Sequence, residues 1–270
     1  MKFSLLMSIY HKEDPAYFDR CMYSVWEEQS VRPDEIVLVQ DGPLTDPLYH
    51  MITQWKERLG ESLVIVALEK NVGLGEALNT GLMRCRHDLV ARMDTDDIAL
   101  EERFAQQLTC FEARKIDICS AWVGEFTEDE SQIVSYRRVP RTHSEIITFA
   151  KKRNPINHPA VMYKKSKILE AGGYKTMTGF EDYYLWVRMI LSNALFYNIQ
   201  EPLVNMRAGE AQLKRRRGFA YAGHELAFQK RLLSLGFITR MEFLKNIIIR
   251  FTARVVPPAL TRSIYIRLRR

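Results

Sequence analysis

Three acidic side chains fall within four positions of the chain, directly after a short apolar run. They belong to Arg92-Met93-Asp94-Thr95-Asp96-Asp97. Repulsion makes such a group of carboxylates costly unless a positive charge lies among them. Oxygen ligands in this number suit Mg²⁺ or Mn²⁺, and a diphosphate would complete an octahedral shell. The alternative is a solvated turn in which Asp96 or Asp97 caps a helix over residues 100–114.

A second pair of acids, Glu181 and Asp182, precedes an aromatic, amphipathic helix that includes Trp186. If Tyr and Trp side chains bury one of the two acids, its pKa rises toward the range that a general base needs. Helix capping is again the alternative. The preceding Gly172-Gly173-Tyr174 supplies a loop that an acceptor molecule can approach closely.

Other polar segments carry weaker indications. His158 lies in Asn157-His158-Pro159, where a structural role is the alternative to a role in the site. The cations of Lys164-Lys165 and Lys214-Arg215-Arg216-Arg217 are either phosphate contacts or solvated surface charges. Gly73-Leu74-Gly75 is not a dinucleotide fingerprint, because Leu78 stands where the third glycine belongs, and no Gly-Lys-Ser/Thr follows to make a phosphate-binding loop.

The elements that must position these residues alternate between strand-length apolar runs and helix-periodic stretches, which is typical of a parallel α/β sheet. Strands are predicted at 3–10, 35–40, 63–68, 89–93, 118–123 and 160–163, and helices at 17–29, 47–59, 75–86 and 100–114. Ligands of such sheets bind beyond the carboxyl ends of the strands. The polar segments at 10–14, 40–43, 69–71 and 94–97 all follow predicted strands.

Composition sets the broad class. The 270 residues are 47% hydrophobic and 27% charged, as in ordinary globular proteins. Four scattered cysteines predict neither a zinc site nor a disulfide framework and favour a reducing compartment. We expect the N-terminal run to be a buried strand rather than an export signal, and no run has the roughly 20 apolar residues that span a bilayer.

Charge is distributed unevenly along the chain. Residues 211–270 contain fourteen Lys and Arg against two acids, a formal charge of +12, which leaves −6 for residues 1–210. A basic tail of this kind binds either nucleic acid or an anionic membrane face.

In this order, the segments resemble the family 2 glycosyltransferases of the GT-A fold, a Rossmann-like α/β architecture. The resemblance covers roughly residues 3–205. The matching segments are 8–10 with Glu13, 17–29, 35–41, 71–73 with 77–81, 92–97 and 181–186.

The resemblance implies a role for individual residues. Tyr10 and Glu13 would line a uridine pocket, and Asp41 would accept a hydrogen bond from uracil. Asn71 and Arg92 would frame the nucleotide sugar.

The remaining implied roles concern metal and acceptor. Asp94 is expected near the ribose and the sugar and Asp96 on the metal, the two together forming the metal-binding D-x-D motif. Asp182 is expected to be the catalytic base. Residues assigned to the acceptor or to support of the site are Glu181, His158, Trp186, Arg215 and Arg216.

Two departures from the family pattern change these expectations. The second strand ends in Gln40-Asp41-Gly42-Pro43 rather than in two aspartates followed by Gly-Ser, so one acid serves the uracil. Many relatives carry a metal-touching histidine after the Glu-Asp helix, but residues 206–209 contain none. We therefore expect water or the diphosphate to complete the metal shell.

The sequence is similar to a narrower branch, the amylovoran-type exopolysaccharide and O-antigen transferases. This resemblance implies an inverting, metal-dependent transfer of galactose, or of glucose as second choice, from a UDP-sugar to an undecaprenyl-diphosphate-linked HexNAc with β-linkage. We expect a GT-A domain at residues 1–210 and a basic, amphipathic helical region at 211–270. That region would either contact the inner face of the cytoplasmic membrane peripherally or pack on the domain.

Two other functions remain open. A metal-dependent nucleotidyltransferase or phosphotransferase would share the carboxylates and the metal, but residues 10–14 are not the glycine- and lysine-rich loop it needs. A non-enzymatic nucleic-acid-binding protein would use the basic tail, yet the acidic front would repel phosphates and no recognised motif appears. No nucleic-acid partner is expected.

Overall fold

The first half of the sheet is parallel. In the computed structural model, which describes residues 1–208 and 218–255, four strands pair in the order β3-β2-β1-β4. They are β1 (Ser4–Ile9), β2 (Glu35–Gln40), β3 (Leu63–Ala67) and β4 (Leu89–Asp94). Register places Ile9 opposite Gln40 and Ser8 opposite Asp94, so the strands end at the same edge of the sheet. That edge is where the sequence predicts ligands.

Both faces of these strands are buried. Leu5, Met7 and Ile9 pack in one hydrophobic cluster, and Leu6 packs in another on the opposite face. Alternate residues of a strand point to opposite faces, and helices cover both. The connecting helices are α1 (Pro15–Trp26), α2 (Asp46–Leu59), α3 (Leu74–Arg84) and α4 (Arg103–Ala113), and a short 3-10 turn spans Gly60–Ser62.

The second half of the sheet is mixed, so the prediction of a parallel sheet is wrong there. It contains β5 (Ile98–Ala99), β6 (Ile118–Phe126), β7 (Ser135–Arg137), β8 (Met162–Lys164) and β9 (Phe196–Arg207). Strand β8 runs antiparallel to both β4 and β6, whereas β9 is parallel to β6. A strand that is buried on both faces is a continuous apolar run, whether it lies parallel or antiparallel to its neighbours. The hydrophobic pattern of the sequence therefore cannot reveal the direction of the strand.

Five further helices complete the described part of the chain: α5 (His143–Ala150), α6 (Lys165–Glu170), α7 (Glu181–Leu191), α8 (Gly218–Ser234) and α9 (Arg240–Val255). A 3-10 turn at His158–Ala160 precedes β8. Helix α8 packs on α7, and Phe228 stacks on Phe180 with ring centroids 4.8 Å apart. The predicted domain boundary at residue 210 lies outside the described residues.

None of the helices within residues 1–208 and 218–255 has the length and apolar character that crossing a bilayer requires.

Candidate active site

The loops after β1 and β2 lie side by side. The backbone N–H of Asp41 donates to the carbonyl of Ile9 at 2.8 Å, and Glu13 N–H donates to the carbonyl of Tyr10 at 3.1 Å. Tyr10 and Glu13 are half-buried in the loop that leaves β1. The structure therefore brings together Tyr10, Glu13 and Asp41, as the sequence predicts, at the carboxyl edge of the parallel strands.

Asp41 organises the turn that follows β3. Its carboxylate accepts from the backbone N–H groups of Val72 at 2.7 Å and Gly73 at 3.1 Å, and from the Asn71 side-chain amide at 3.0 Å. Asp41 is only 3% exposed. Asp41 and Asn71 thus form one unit, and the expected uracil contact stays a prediction beside this structural role.

A buried arginine pairs with the first acid of the D-x-D segment. The guanidinium of Arg92, 1% exposed, donates to both carboxylate oxygens of Asp94. Burial alone would lower the pKa of Arg92, but the ion pair outweighs it and the pKa is raised. Arg92 therefore supplies the positive charge that three neighbouring carboxylates need.

Asp96 and Asp97 lie in crowded, negative surroundings. Burial and then the charge of Asp94 raise the pKa of Asp96 to about 6. The same two causes raise the pKa of the fully buried Asp97 well above its usual range. One oxygen of Asp97 accepts from the backbone N–H of Arg207 at 2.9 Å, while the other has no hydrogen-bond partner among the described residues.

These contacts rule out the capping interpretation of Asp96 and Asp97. Helix α4 begins at Arg103 rather than at Leu100, and its N-cap residue Glu102 makes no capping hydrogen bond through its side chain. Asp97 instead ties β5 to the end of β9. Sequence reasoning placed the helix start too early because Leu100 continues the apolar pattern of the short strand before it.

Two buried residues of α4, Arg103 and Gln107, bond the backbone of β4 and of the turn next to it. The buried Arg103 guanidinium donates to the carbonyl of Arg92 at 2.5 Å, and burial lowers the pKa of Arg103 to about 9. Gln107 donates to the carbonyl of Ala160 at 3.0 Å. This support fixes β4 against the turn that carries His158.

The second acidic pair opens α7. Phe180 is the N-cap residue, and Glu181 and Asp182 occupy the first turn. Burial raises the pKa of Glu181, whose carboxylate accepts from the N–H of Gly179 at 3.3 Å. Asp182 accepts from the Asn154 side-chain amide at 2.6 Å. Both acids belong to the first turn, and Asn154 is a contact that sequence reasoning missed.

An aromatic cluster connects the two acidic segments. His158 Nε2 lies 2.8 Å from the hydroxyl of Tyr174, and its ring meets Trp186 edge-on at 5.9 Å between centroids. Burial and the charge of Arg92 lower the pKa of His158 well below its usual value. Burial raises the pKa of Tyr174, and the charges of Asp182 and Asp94 act in the same direction. Negative charge in both acidic segments therefore disfavours ionisation of Tyr174.

The loop that carries Tyr174 is fixed to α3. Asn79 donates to the carbonyl of Tyr174 at 2.9 Å and accepts from its N–H at 2.8 Å. A Cβ added at Gly173, where φ is +66°, would meet the Asn79 side chain at 2.7 Å. The close approach that Gly173 permits is therefore to α3, and the approach of an acceptor to this loop stays a prediction.

Three predicted site residues remain: Trp186, Arg215 and Arg216. Trp186 is fully buried and packs against His158, so it does not line an open surface, and its support of the site stays a prediction. Arg215 and Arg216 lie outside the described residues. A separate groove of about 540 Å³, lined among others by Arg20, Glu28 and Glu130, contains none of the predicted site residues.

Comparison with known proteins gives a consistent picture. The family model described as glycosyl transferase family 2 matches residues 4–172. The chain is 39% identical over 267 residues to the amylovoran biosynthesis glycosyltransferase AmsE of Erwinia amylovora, covering 97% of each chain. It is 38% identical over 265 residues to an Escherichia coli UDP-Gal:alpha-D-GlcNAc-diphosphoundecaprenol beta-1,3-galactosyltransferase, covering 98% of this chain and 95% of that protein.

Two solved structures share the fold at low sequence identity. TarS 1-349 of S. aureus in complex with UDP-GlcNAc aligns with a TM-score of 0.67 at 16% identity, over 94% of this chain and 74% of that one. The mannosyltransferase PcManGT of Pyrobaculum calidifontis, in complex with GDP-Man and Mn2+, aligns with a TM-score of 0.65 at 15% identity, over 91% of this chain and 68% of that one.

Proposed function

The chain belongs to glycosyl transferase family 2 and is a hexosyltransferase of the GT-A fold, and from this premise we propose that it is an inverting enzyme. In our proposal it transfers a hexose from a UDP-sugar to an undecaprenyl-diphosphate-linked HexNAc and forms a β-linkage. Galactose is preferred over glucose, and the product is a repeat unit of an O-antigen or exopolysaccharide. The name of the E. coli relative, 38% identical over nearly the full length of both chains, supports these choices.

The observation that carries the proposal is that Tyr174 lies next to the start of α7: a Cβ built at Gly75 would lie 3.4 Å from Tyr174 and 3.8 Å from Glu181. The hydroxyl of Tyr174 bonds His158, in the turn before β8, which pairs with β4. A donor bound at the end of β4 and an acceptor bound at the start of α7 would therefore meet in one cleft. A transferase needs this arrangement, because both substrates must be held together before the reaction.

On the acceptor side, Asp182 is the proposed catalytic base. Asn154 donates to one carboxylate oxygen, which fixes the orientation of the group. Asp182 takes the proton of the attacking acceptor hydroxyl, whose oxygen forms a bond to the anomeric carbon as the bond to UDP breaks on the opposite face. An α-linked donor then yields a β-glycoside. Glu181, His158 and Trp186 support the acceptor side of this cleft.

On the donor side, the loops after β1, β2 and β3 form the proposed nucleotide site. Tyr10 and Glu13 line the uridine pocket, Asp41 with Asn71 shapes its floor, and Arg92 with Asp94 frames the sugar. The fixed turn at residues 71–73 supports this assignment, since a rigid backbone costs little ordering when a ligand binds.

The D-x-D segment is the proposed site for Mn²⁺ or Mg²⁺. Burial and then the charge of Asp94 raise the pKa of Asp96, and a divalent cation would offset both by stabilising the ionised carboxylate. Arg92 occupies both oxygens of Asp94, so Asp96 is the more available of the two predicted ligands. Among the described residues no group of three His, Cys, Asp or Glu side chains is arranged around one metal position, so the diphosphate and water would supply the other ligands. When bound, such an ion neutralises negative charge on the leaving diphosphate.

An acceptor carried on a polyprenyl lipid implies a location. We place the enzyme at the inner face of the cytoplasmic membrane as a peripheral protein, since such acceptors are confined to the bilayer. Arg215 and Arg216, predicted to contact phosphates, belong to this proposal by sequence alone.

A transfer assay tests the proposal. The purified protein is incubated with Mn²⁺, a panel of UDP-hexoses and a short-chain lipid-diphosphate-GlcNAc. We expect elongation with UDP-galactose and its loss in Asp182→Asn. Asp46→Asn is the matched control, because Asp46 is an exposed acid in the first turn of α2. Absence of transfer from every donor, or full activity of Asp182→Asn, would refute the proposed function or the proposed base.

A further inference from the structure

Helix α9 has one face that packs on the protein. Asn246 is buried and donates to the carbonyl of Lys151 at 2.8 Å and to the Gln229 side chain at 3.0 Å. Arg250 pairs with the buried Glu225 at 2.9 Å. These polar contacts lock the rotation of the helix about its own axis, so its opposite face is fixed toward the exterior.

That opposite face is apolar. Met241, Leu244, Ile248 and Ile249 are between 50% and 62% exposed. Their spacing of three, four and one residues places them along one side of the helix. Single exposed apolar residues are common, whereas a row of four large ones on a helix marks an interaction surface. We call these four residues the α9 stripe.

Positive charge lies within and beside the α9 stripe. Lys245, three and four residues before Ile248 and Ile249, is exposed among the members of the stripe. Arg240 is exposed at its start, and Lys152 is exposed next to the helix, where its carbonyl accepts from Arg250. The single acid of α9, Glu242, is bound by Lys151 at 3.2 Å and by the N–H of Thr239 at 2.8 Å. In the sequence that follows, residues 256–270 add four arginines and no acid. An apolar row flanked by cations matches the interface of an anionic bilayer better than it matches another protein of mixed charge.

The α9 stripe lies on the acceptor side of the candidate site. Helix α9 is bonded to the backbone of Lys151 and Lys152, directly after α5. Two residues further along the chain, Asn154 contacts Asp182. Helix α9 is therefore next to the segment that positions the proposed base, and a lipid surface on the α9 stripe would lie one helix width from that segment.

We propose that the α9 stripe docks the enzyme on an anionic lipid bilayer and so presents the cleft to a lipid-linked acceptor. The second part of this inference rests on the proposed function, whereas docking itself does not. The helix lies in the plane of the interface, with Met241, Leu244 and Ile249 inserted among the acyl chains. Arg240 lies at the headgroups, and Lys245 extends its ammonium group to them from within the stripe.

Vesicle co-sedimentation tests the docking. The full chain is mixed with phosphatidylcholine vesicles with or without phosphatidylglycerol, at low and high salt. We expect binding to the anionic vesicles that weakens with salt, and a loss of roughly tenfold or more in the double variant Leu244→Glu/Ile249→Glu. The matched control, Leu169→Glu/Met83→Glu, adds the same charges at exposed apolar positions of α6 and α3 and should bind like the wild type.

Three outcomes would overturn the proposal. One is a wild-type protein that does not bind anionic vesicles, and another is a double variant that folds by circular dichroism and binds as well as the wild type. The third is a wild-type dimer, seen by light scattering, that the double variant abolishes without any change in vesicle binding, since the stripe would then cover a second copy of the chain.

An activity comparison separates docking from the proposed function. The double variant should transfer sugar to a short-chain, water-soluble acceptor like the wild type, but at least tenfold more slowly to an acceptor embedded in anionic vesicles. If no sugar is transferred to either acceptor while vesicle binding still depends on the stripe, the proposed function fails and the docking surface stands. Equal rates of wild type and variant on embedded acceptor would refute the link between docking and acceptor access.

Discussion

Replacing Asn154 by alanine should slow the reaction without disturbing the donor site. Its amide lies 2.6 Å from a carboxylate oxygen of Asp182, a distance typical of a strong, charge-assisted hydrogen bond. Hydrogen bonds to charged groups contribute about 1.5–3 kcal/mol. Since about 1.4 kcal/mol corresponds to a factor of ten in rate, loss of the full contribution would lower kcat/KM by about 10-fold to 150-fold.

The assay for this prediction compares Asn154→Ala with Gln132→Ala under identical conditions. Gln132 also donates an amide hydrogen bond to a carboxylate, that of Asp129 at 3.0 Å, in the loop between β6 and β7. We expect Asn154→Ala to lower kcat/KM for the acceptor while the Kd for UDP changes little, and the melting temperature to fall by several degrees because the same hydrogen bond is lost. A folded Asn154→Ala protein whose kcat/KM stays within about twofold of the wild type would refute the reasoning, because the contact would then contribute almost nothing.

Three further predictions concern the donor side. Arg92→Met leaves Asp94 without its ion-pair partner and should lower the free energy of unfolding by about 2–3 kcal/mol in urea titrations, the low end of the range because Asp94 is partly exposed. The pKa of Asp96 is raised to about 6 in the folded protein, so the folded state loses stability as pH rises from about 4 to 6 and Asp96 ionises. In metal-free buffer, Asp96→Asn should therefore raise the free energy of unfolding by about 1–2 kcal/mol at pH 7.5 and leave it unchanged near pH 4. Gly42→Ala forces a side chain onto φ +86° and a Cβ to 2.5 Å from the N of Asn71, so it should destabilise by about 2–3 kcal/mol and raise the KM for the donor.

Each of these predictions has a result that contradicts it. An Arg92→Met protein as stable as the wild type would mean that Asp94 relaxes into solvent. A stability gain of Asp96→Asn that is the same at pH 4 and pH 7.5 would show that ionisation is not its cause. A normal donor KM in a destabilised Gly42→Ala protein would separate the turn at residues 71–73 from the nucleotide site.

Local patterns in the sequence predict the donor half of the fold well. Strands β1 to β4 end within about one residue of their predicted ends, because each apolar run stops at a polar residue such as Asp41. The polar residues after these strands do gather at one edge, as the rule for parallel strands requires. Family membership and the GT-A fold were both predicted from these segments, and both predictions are confirmed. The chain is a hexosyltransferase, so the two alternative functions, a nucleotidyltransferase or phosphotransferase and a nucleic-acid-binding protein, are not the ones that the comparisons support.

The acceptor half was less predictable, because its contacts join residues that are far apart in the chain. Nothing local to Asn154 indicates that it bonds a carboxylate 28 residues away. The same is true, on the donor side, of Asp97, a candidate helix cap in the sequence: its partner is the backbone of Arg207, 110 residues distant, in a strand whose direction periodicity does not encode. The amphipathic pattern of α9 was visible in the sequence, but which of its residues pack and which stay exposed required the fold.

The most direct test of the central claim is the anomeric configuration of the product, measured by NMR after transfer from an α-linked UDP-hexose by the wild type and by Asp182→Asn. We expect a β-glycoside from the wild type and no detectable product from the variant, because the attack on the anomeric carbon is a single displacement assisted by Asp182. An α-glycoside, or a β-glycoside formed at an undiminished rate by Asp182→Asn, would contradict it.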